Sequence, residues 1–168
     1  MMRRTFSIVL LPLAACLAGC GIYSANSARV DEAIRYVAIP TLENRTAEPS
    51  IGMELTDLII AAIQRDNTLK VVGEDDATAD LVGAVTLYRR KEAFTTSQLQ
   101  VDEYQVQIQV ELSFLPRDGS KPLFEKKRLQ GTGNYLLDGS DGSDETSART
   151  LAADEIVRGV LGAIAEDW

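Results

Sequence analysis

Glu103-Tyr104-Gln105-Val106-Gln107-Ile108-Gln109-Val110-Glu111-Leu112-Ser113-Phe114 alternates without an error. Tyr104, Val106, Ile108, Val110, Leu112 and Phe114 fall on one side of an extended chain. Glu103, Gln105, Gln107, Gln109, Glu111 and Ser113 fall on the other. Successive side chains of a strand point to opposite faces, so this period of two predicts a long strand with one dry and one wet face. An antiparallel sheet covered on one side only has that pattern. Another part of the chain must then cover the dry face.

Working outward, Asp118-Gly119 between Pro116 and Lys121 predicts a hairpin connection. Residues 123–135 return as a further strand, weakened by Gly131 and Gly133. On the other side, residues 79–88 read as a strand that continues toward Phe94. Nearer the start, residues 33–39 form a strand stopped by Pro40, a polar loop covers 41–49, and residues 69–72 make a short strand. Two segments carry a helical period. Ile51, Leu55, Leu58, Ile59, Ala62 and Ile63 make one apolar face, with Ser50 as the expected cap and Glu54 suiting the first turn. Ala148, Leu151, Ala152, Ile156, Val160 and Ile164 make another over residues 146–165. Gly159 and Gly162 weaken that helix by roughly 1 kcal/mol each against alanine, which close packing on the sheet would explain. The expected fold is an α/β (α+β) two-layer sandwich, with two amphipathic helices packed on one face of a four- or five-stranded mixed sheet. The strand–helix–strand opening predicts a parallel crossover.

The N-terminus reads differently. Arg3 and Arg4 precede an apolar stretch, residues 6–19, too short for a ~30 Å hydrocarbon core but suited to a secretory signal. Leu17-Ala18-Gly19-Cys20 matches a lipobox, so residues 1–19 are expected to be cleaved and Cys20 to carry lipid. An ordinary cleaved signal with a chance cysteine is the alternative. Leu13-Ala14-Ala15-Cys16 also satisfies the pattern, but cleavage there would leave a marginal apolar run, which favours Cys20. Residues 20–32 then form a lipidated tether, and residues 33–168 a single domain. Losing Arg3 and Arg4 from 17 basic residues leaves 15 against 25 acidic ones, a formal charge of −10. Acylated Cys20 is then the sole cysteine, so packing rather than a disulfide must hold the domain. More than one acyl chain makes such an anchor stable. With no aspartate after Cys20, the inner leaflet of an outer membrane is the expected location.

The available chemistry points away from catalysis. The chain has no histidine, which removes His-based acid–base work, Ser-His triads and the commonest transition-metal ligand. No glycine-rich phosphate loop follows a strand. The acidic run 138–145 lacks the ligand spacing of a calcium loop, so no metal site is expected there. No enzyme and no cofactor beyond the covalent lipid are expected, nor is nucleic acid a fitting partner at this charge. Of the 15 basic residues, eight crowd into residues 89–128, including Arg89, Arg90, Lys91, Lys126, Lys127 and Arg128. They are local cationic sites able to pair with phosphate, or gatekeepers flanking the strands. In a meander, residues 89–91 lie toward one end of the sheet and the 117–121 turn at the other. Residues 126–128 fall between, nearer the turn.

Several short motifs assemble into a pattern. Cys20-Gly21-Ile22-Tyr23 follows the lipobox. Tyr36-Val37-Ala38-Ile39-Pro40-Thr41-Leu42-Glu43-Asn44-Arg45-Thr46 comes next, then Glu48-Pro49. Leu69-Lys70-Val71-Val72 and Ala77-Thr78-Ala79-Asp80-Leu81-Val82-Gly83-Ala84-Val85 follow in order. Over nearly the whole mature chain this resembles the LPS-assembly lipoprotein family (LptE), although Ile22-Tyr23 departs slightly from the commoner start. The resemblance implies a two-helix, four-stranded sandwich in complex with the large outer-membrane β-barrel that inserts lipopolysaccharide, acting as plug and assembly partner. It also implies lipopolysaccharide binding through basic residues: Arg89, Arg90 and Lys91 by position, then Lys126, Lys127 and Arg128. The rival reading is a lipoprotein subunit or activator of another envelope machine, such as a secretion ring or cell-wall synthase.

Overall fold

The computed structural model describes residues 34–95 and 101–166, so the leader, Cys16, Cys20 and the tether lie outside the described residues. Six strands and two helices follow in order: β1 (Tyr36–Ala38), β2 (Glu43–Asn44), α1 (Ile51–Asp66), β3 (Lys70–Val71), β4 (Ala79–Thr95), β5 (Val101–Pro116), β6 (Phe124–Leu136) and α2 (Glu145–Glu166). The sheet order is β3-β1-β4-β5-β6, with β2 also paired to β4. β1 pairs parallel with β3 and β4, β2 parallel with β4, and β4-β5-β6 form an antiparallel meander. The sheet is therefore mixed, and the expected parallel crossover joins β1 to β3 through α1.

The alternation in β5 decides the layers as expected. Val106, Ile108, Val110, Leu112 and Phe114 are fully buried and share one core with residues of both helices. The glutamines opposite remain partly open. Where the reading and the fold differ, backbone geometry explains it. First-strand pairing is confined to Tyr36–Ala38, and the expected loop 41–49 contains the two-residue β2. β4 runs on past Tyr88 to Thr95. Ser50 occupies the cap position of α1 but makes no capping bond. A side-chain cap needs an extended backbone, whereas Ser50 is left-handed at φ 64°, and its carbonyl instead accepts from Glu54 N–H at 3.0 Å. Asp144 caps α2, accepting from Ser147 N–H at 2.8 Å while Ser147 Oγ accepts from Asp144 N–H at 2.8 Å.

The second helix shows what pattern reading cannot see. Leu151, expected inside, is 55% exposed, while Ala153, outside the expected stripe, is fully buried. The cause lies in β6. A Cβ on Gly131 would stand 1.8 Å from the Ala152 carbonyl oxygen, and one on Gly133 1.9 Å from that of Ala148. These glycines are the groove in which α2 lies, backbone against backbone, so only alanines fit beneath the helix. Gly159 follows the same logic, facing Leu129 at 3.2 Å, but Gly162 meets nothing within 4 Å and packing does not explain it.

Candidate functional site

Strand register sorts the cations by face. Arg89 pairs with Gln107 and Lys91 with Gln105, on the wet face; Arg90 pairs with Val106 and so lies on the helix side. Arg89 Nη2 donates to Gln107 Oε1 at 2.7 Å, and neither Arg89 nor Lys91 has a carboxylate partner among the described residues. Arg90 is engaged: Nη1 donates to Glu145 Oε2 at 2.9 Å, and its guanidinium stands 5.3 Å from the Tyr104 ring centroid. The hydrogen bond to Glu145 raises the Arg90 pKa above its ordinary value. Tyr104 in turn stacks on Tyr135, 5.8 Å between centroids.

The second group is split in the same way. Arg128 is opposite Glu111 on the wet face and pairs with it at 3.1 Å. Lys127 is opposite buried Leu112, its ammonium 5.7 Å from the Phe124 ring centroid. Lys126 sits at a kink with φ 48°, its N–H donating to Ser113 Oγ at 2.9 Å. Gln107, opposite Arg89, is itself opposite Thr132, four residues along β6 from Arg128. At about 3.3 Å per residue the two cationic groups stand roughly 13 Å apart. They are two sites and not one. Between them the wet face is a ladder of uncharged amides: Gln105 Nε2 donates to Asn134 Oδ1 at 2.8 Å, and Asn134 Nδ2 to Glu103 Oε1 at 2.7 Å.

A cluster that sequence reading missed anchors this region. Arg149 of α2 is only 20% exposed; its Nη1 donates to Glu48 at 2.6 Å, its Nε to Glu54 at 2.9 Å, and it lies 5.6 Å from the Tyr88 ring centroid. Burial pulls its pKa down, but Glu54, Tyr88 and Glu48 outweigh that and leave it raised. Tyr88 O–H donates to Glu145 Oε1 at 3.1 Å. The Glu48-Pro49 motif therefore has a structural reason, as does Asn44, whose amide donates to the Glu48 carbonyl at 2.7 Å. The available signal was a lone arginine amid the small residues of an amphipathic helix.

Burial, then the Glu145 hydrogen bond, push the Tyr88 phenol up to about 12 from an ordinary 10.0. Because the folded value is raised, the stabilising contribution is complete below pH 10 and is lost as pH climbs through 12. Of the five tyrosines, Tyr88 is expected to ionise late, seen as a residual step in phenolate absorbance that Tyr88→Phe removes. A titration complete near pH 10 would contradict the contact with Glu145.

Among the described residues no group of three or more carboxylates or thiols is placed to hold a metal, and no helix is long and apolar enough to cross a membrane. A 250 Å³ cavity lies between the C-terminal ends of the two helices, lined by Ile63, Leu69, Leu161, Ile164 and Ala165 with Asp66 and Thr68 at its polar side.

Two helices on one face of a mixed sheet, with an amide-rich face opposite, define an α+β sandwich of a kind seen in several bacterial lipoproteins. The chain is similar to a minor lipoprotein from Acinetobacter baumannii (14% identity, 76% of this chain and 87% of that one, TM-score 0.50). It is also similar to an uncharacterized lipoprotein B from Nitrosomonas europaea (11%, 76% and 80%, TM-score 0.56). A third likeness is to the hypothetical protein CT253 from Chlamydia trachomatis (11%, 77% and 96%, TM-score 0.52). At these identities the likeness is one of fold. The curated proteins offer no match. The chain belongs to the LptE family, lipopolysaccharide-assembly, which it matches over residues 34–163.

Proposed function

We propose that this chain is an outer-membrane lipoprotein, anchored at the periplasmic face through acyl chains on Cys20, that complexes with the lipopolysaccharide-inserting β-barrel. It acts there as plug and assembly partner during lipopolysaccharide transport to the cell surface. The family match over residues 34–163 carries the reading. The amide ladder of the wet face supports it, because uncharged hydrogen-bonding side chains exchange readily between water and a hydrated lumen. Cations without carboxylate partners at the end of that ladder are suited to the phosphates of a glycolipid, which would let the domain compete with bridging divalent ions. The role is non-catalytic and requires no cofactor.

Two measurements test this. The full-length lipoprotein, purified in detergent from its envelope, is expected to bring down one large outer-membrane barrel and to carry diacyl and N-acyl mass on Cys20. Recovery of a secretion ring or cell-wall synthase instead would overturn the reading. Separately, Arg89→Glu with Lys91→Glu is expected to weaken lipopolysaccharide binding by at least about tenfold, since charge-assisted contacts contribute about 1.5–3 kcal/mol each. Arg90→Glu, Lys126→Glu, Lys127→Glu and Arg128→Glu are expected to do less, as Arg90 and Arg128 already answer carboxylates. Unchanged binding in the double variant would remove Arg89 and Lys91 from the site.

A further inference from the structure

Strand β4 is far longer than the strands that cover its outer edge. β1 meets it at Ala79 and Asp80, and β2 at Ala84 and Val85. From Leu87 to Thr95 it pairs inward with β5, and among the described residues no strand lies on its other side. An uncovered edge is a row of unpaired N–H and C=O groups, a template for another strand. The Val85 carbonyl accepts from Arg45 N–H at 3.0 Å, so Val85 turns its backbone outward. The bulge between Val85 and Leu87 shifts the alternation by one. Beyond it Tyr88, Arg90 and Glu92 present their backbone groups to the open edge. The sheet's β6 edge is answered from within: Thr132 N–H donates to the Glu155 carboxylate of α2 at 2.8 Å.

We propose that the outer edge of β4, residues 87–95, is a strand-addition site for an extended, carboxylate-bearing segment of the barrel partner. The inference rests on the function proposed above and names how that partner is held. Charge selects the occupant. Arg89, Arg90 and Lys91 in a row set cations on both faces of any added strand, and only Arg90 is answered internally. A second copy of this chain would bring the same cations face to face, and like charges directly opposite destabilise a sheet pair. An incoming strand with acidic side chains beside Arg89 and Lys91 satisfies both backbone and charge. Strand addition of this kind draws affinity from main-chain bonds and specificity from side chains.

The test uses the full-length lipoprotein purified with and without its barrel. Hydrogen exchange in the 87–95 peptide is expected to slow by more than about tenfold in the complex. Proline at an outward-facing edge position removes a donor without touching the β4–β5 ladder. Glu92→Pro is therefore expected to lower barrel recovery by about tenfold, the equivalent of one or two main-chain bonds, while Glu92→Ala leaves it unchanged. Recovery of the barrel with residues 87–95 still exchanging freely overturns the inference and leaves the proposed function standing. Absence of any barrel from the wild-type preparation overturns the proposed function itself, and this inference with it. Protection of 87–95 in a homodimer overturns the choice of occupant.

Discussion

Gly133→Val is expected to abolish stable folding of the domain. A side chain there has no room: its Cβ alone would stand 1.9 Å from the Ala148 carbonyl oxygen, 2.7 Å from the carbonyl carbon and 2.9 Å from the Cα. These are backbone atoms of α2, so no rotamer change relieves the clash and the helix must lift from β6. Lifting it exposes Ala148, Ala152 and Ile156, all fully buried. Overpacking that displaces backbone falls among the most destabilising substitutions, above about 4 kcal/mol, against a total stability of about 5–15 kcal/mol. Urea unfolding followed by far-ultraviolet circular dichroism is the measurement, with Gly73→Ala as the control. Gly73 has open space around it and an ordinary φ of −66°, so its variant is expected within about 0.5 kcal/mol of wild type. A Gly133→Val protein that unfolds with the wild-type midpoint would show that α2 does not lie on the β6 backbone.

Phe114→Ala is the second large effect, with an expected loss of about 3–5 kcal/mol from lost transfer energy and the cavity left behind. Phe114 is fully buried, opposite Leu81 on β4 and Phe124 on β6, with its ring 6.1 Å from that of Phe124 and tilted by 56°. A phenylalanine flanked on both sides within the sheet and covered by helices leaves neighbours that relax little. Phe114→Leu, nearer in volume, is expected to cost less than about 1.5 kcal/mol. Gln130→Ala on the opposite face is expected within about 0.5 kcal/mol. The same urea experiment ranks the three. Equal costs for Phe114→Ala and Gln130→Ala would mean that the dry and wet faces had been assigned the wrong way round.

Both experiments probe the division between faces, and that division was legible before any coordinates. The alternation from Glu103 to Phe114 states which side chains seek water, and the helical period of residues 51–63 supplies a cover for the others. Asp118-Gly119 placed the hairpin, and Gly119 adopts φ 80°. The short motifs from Tyr36 to Val85 pointed to the family that the match over residues 34–163 establishes. Each of these signals is local, because solvent preference and turn geometry act on a residue and its near neighbours.

The candidate site was legible only in part. The clustering of cations was visible in the sequence, but their partition was not. Arg90 turns inward because its register partner is Val106, and it finds Glu145, 55 residues along the chain. Arg149 reaches back 101 residues to Glu48. Gly131 and Gly133 read as weaknesses in a strand until the backbone of α2 is laid across them, and Leu151 read as core until that approach turned it outward. By itself the sequence determined the element types, the wet and dry faces and the family. Tertiary structure alone decided which cations stay unanswered and which edge of the sheet stays open. Those outcomes depend on pairings between residues distant in the chain, and the period of an isolated segment contains no record of what will be packed against it.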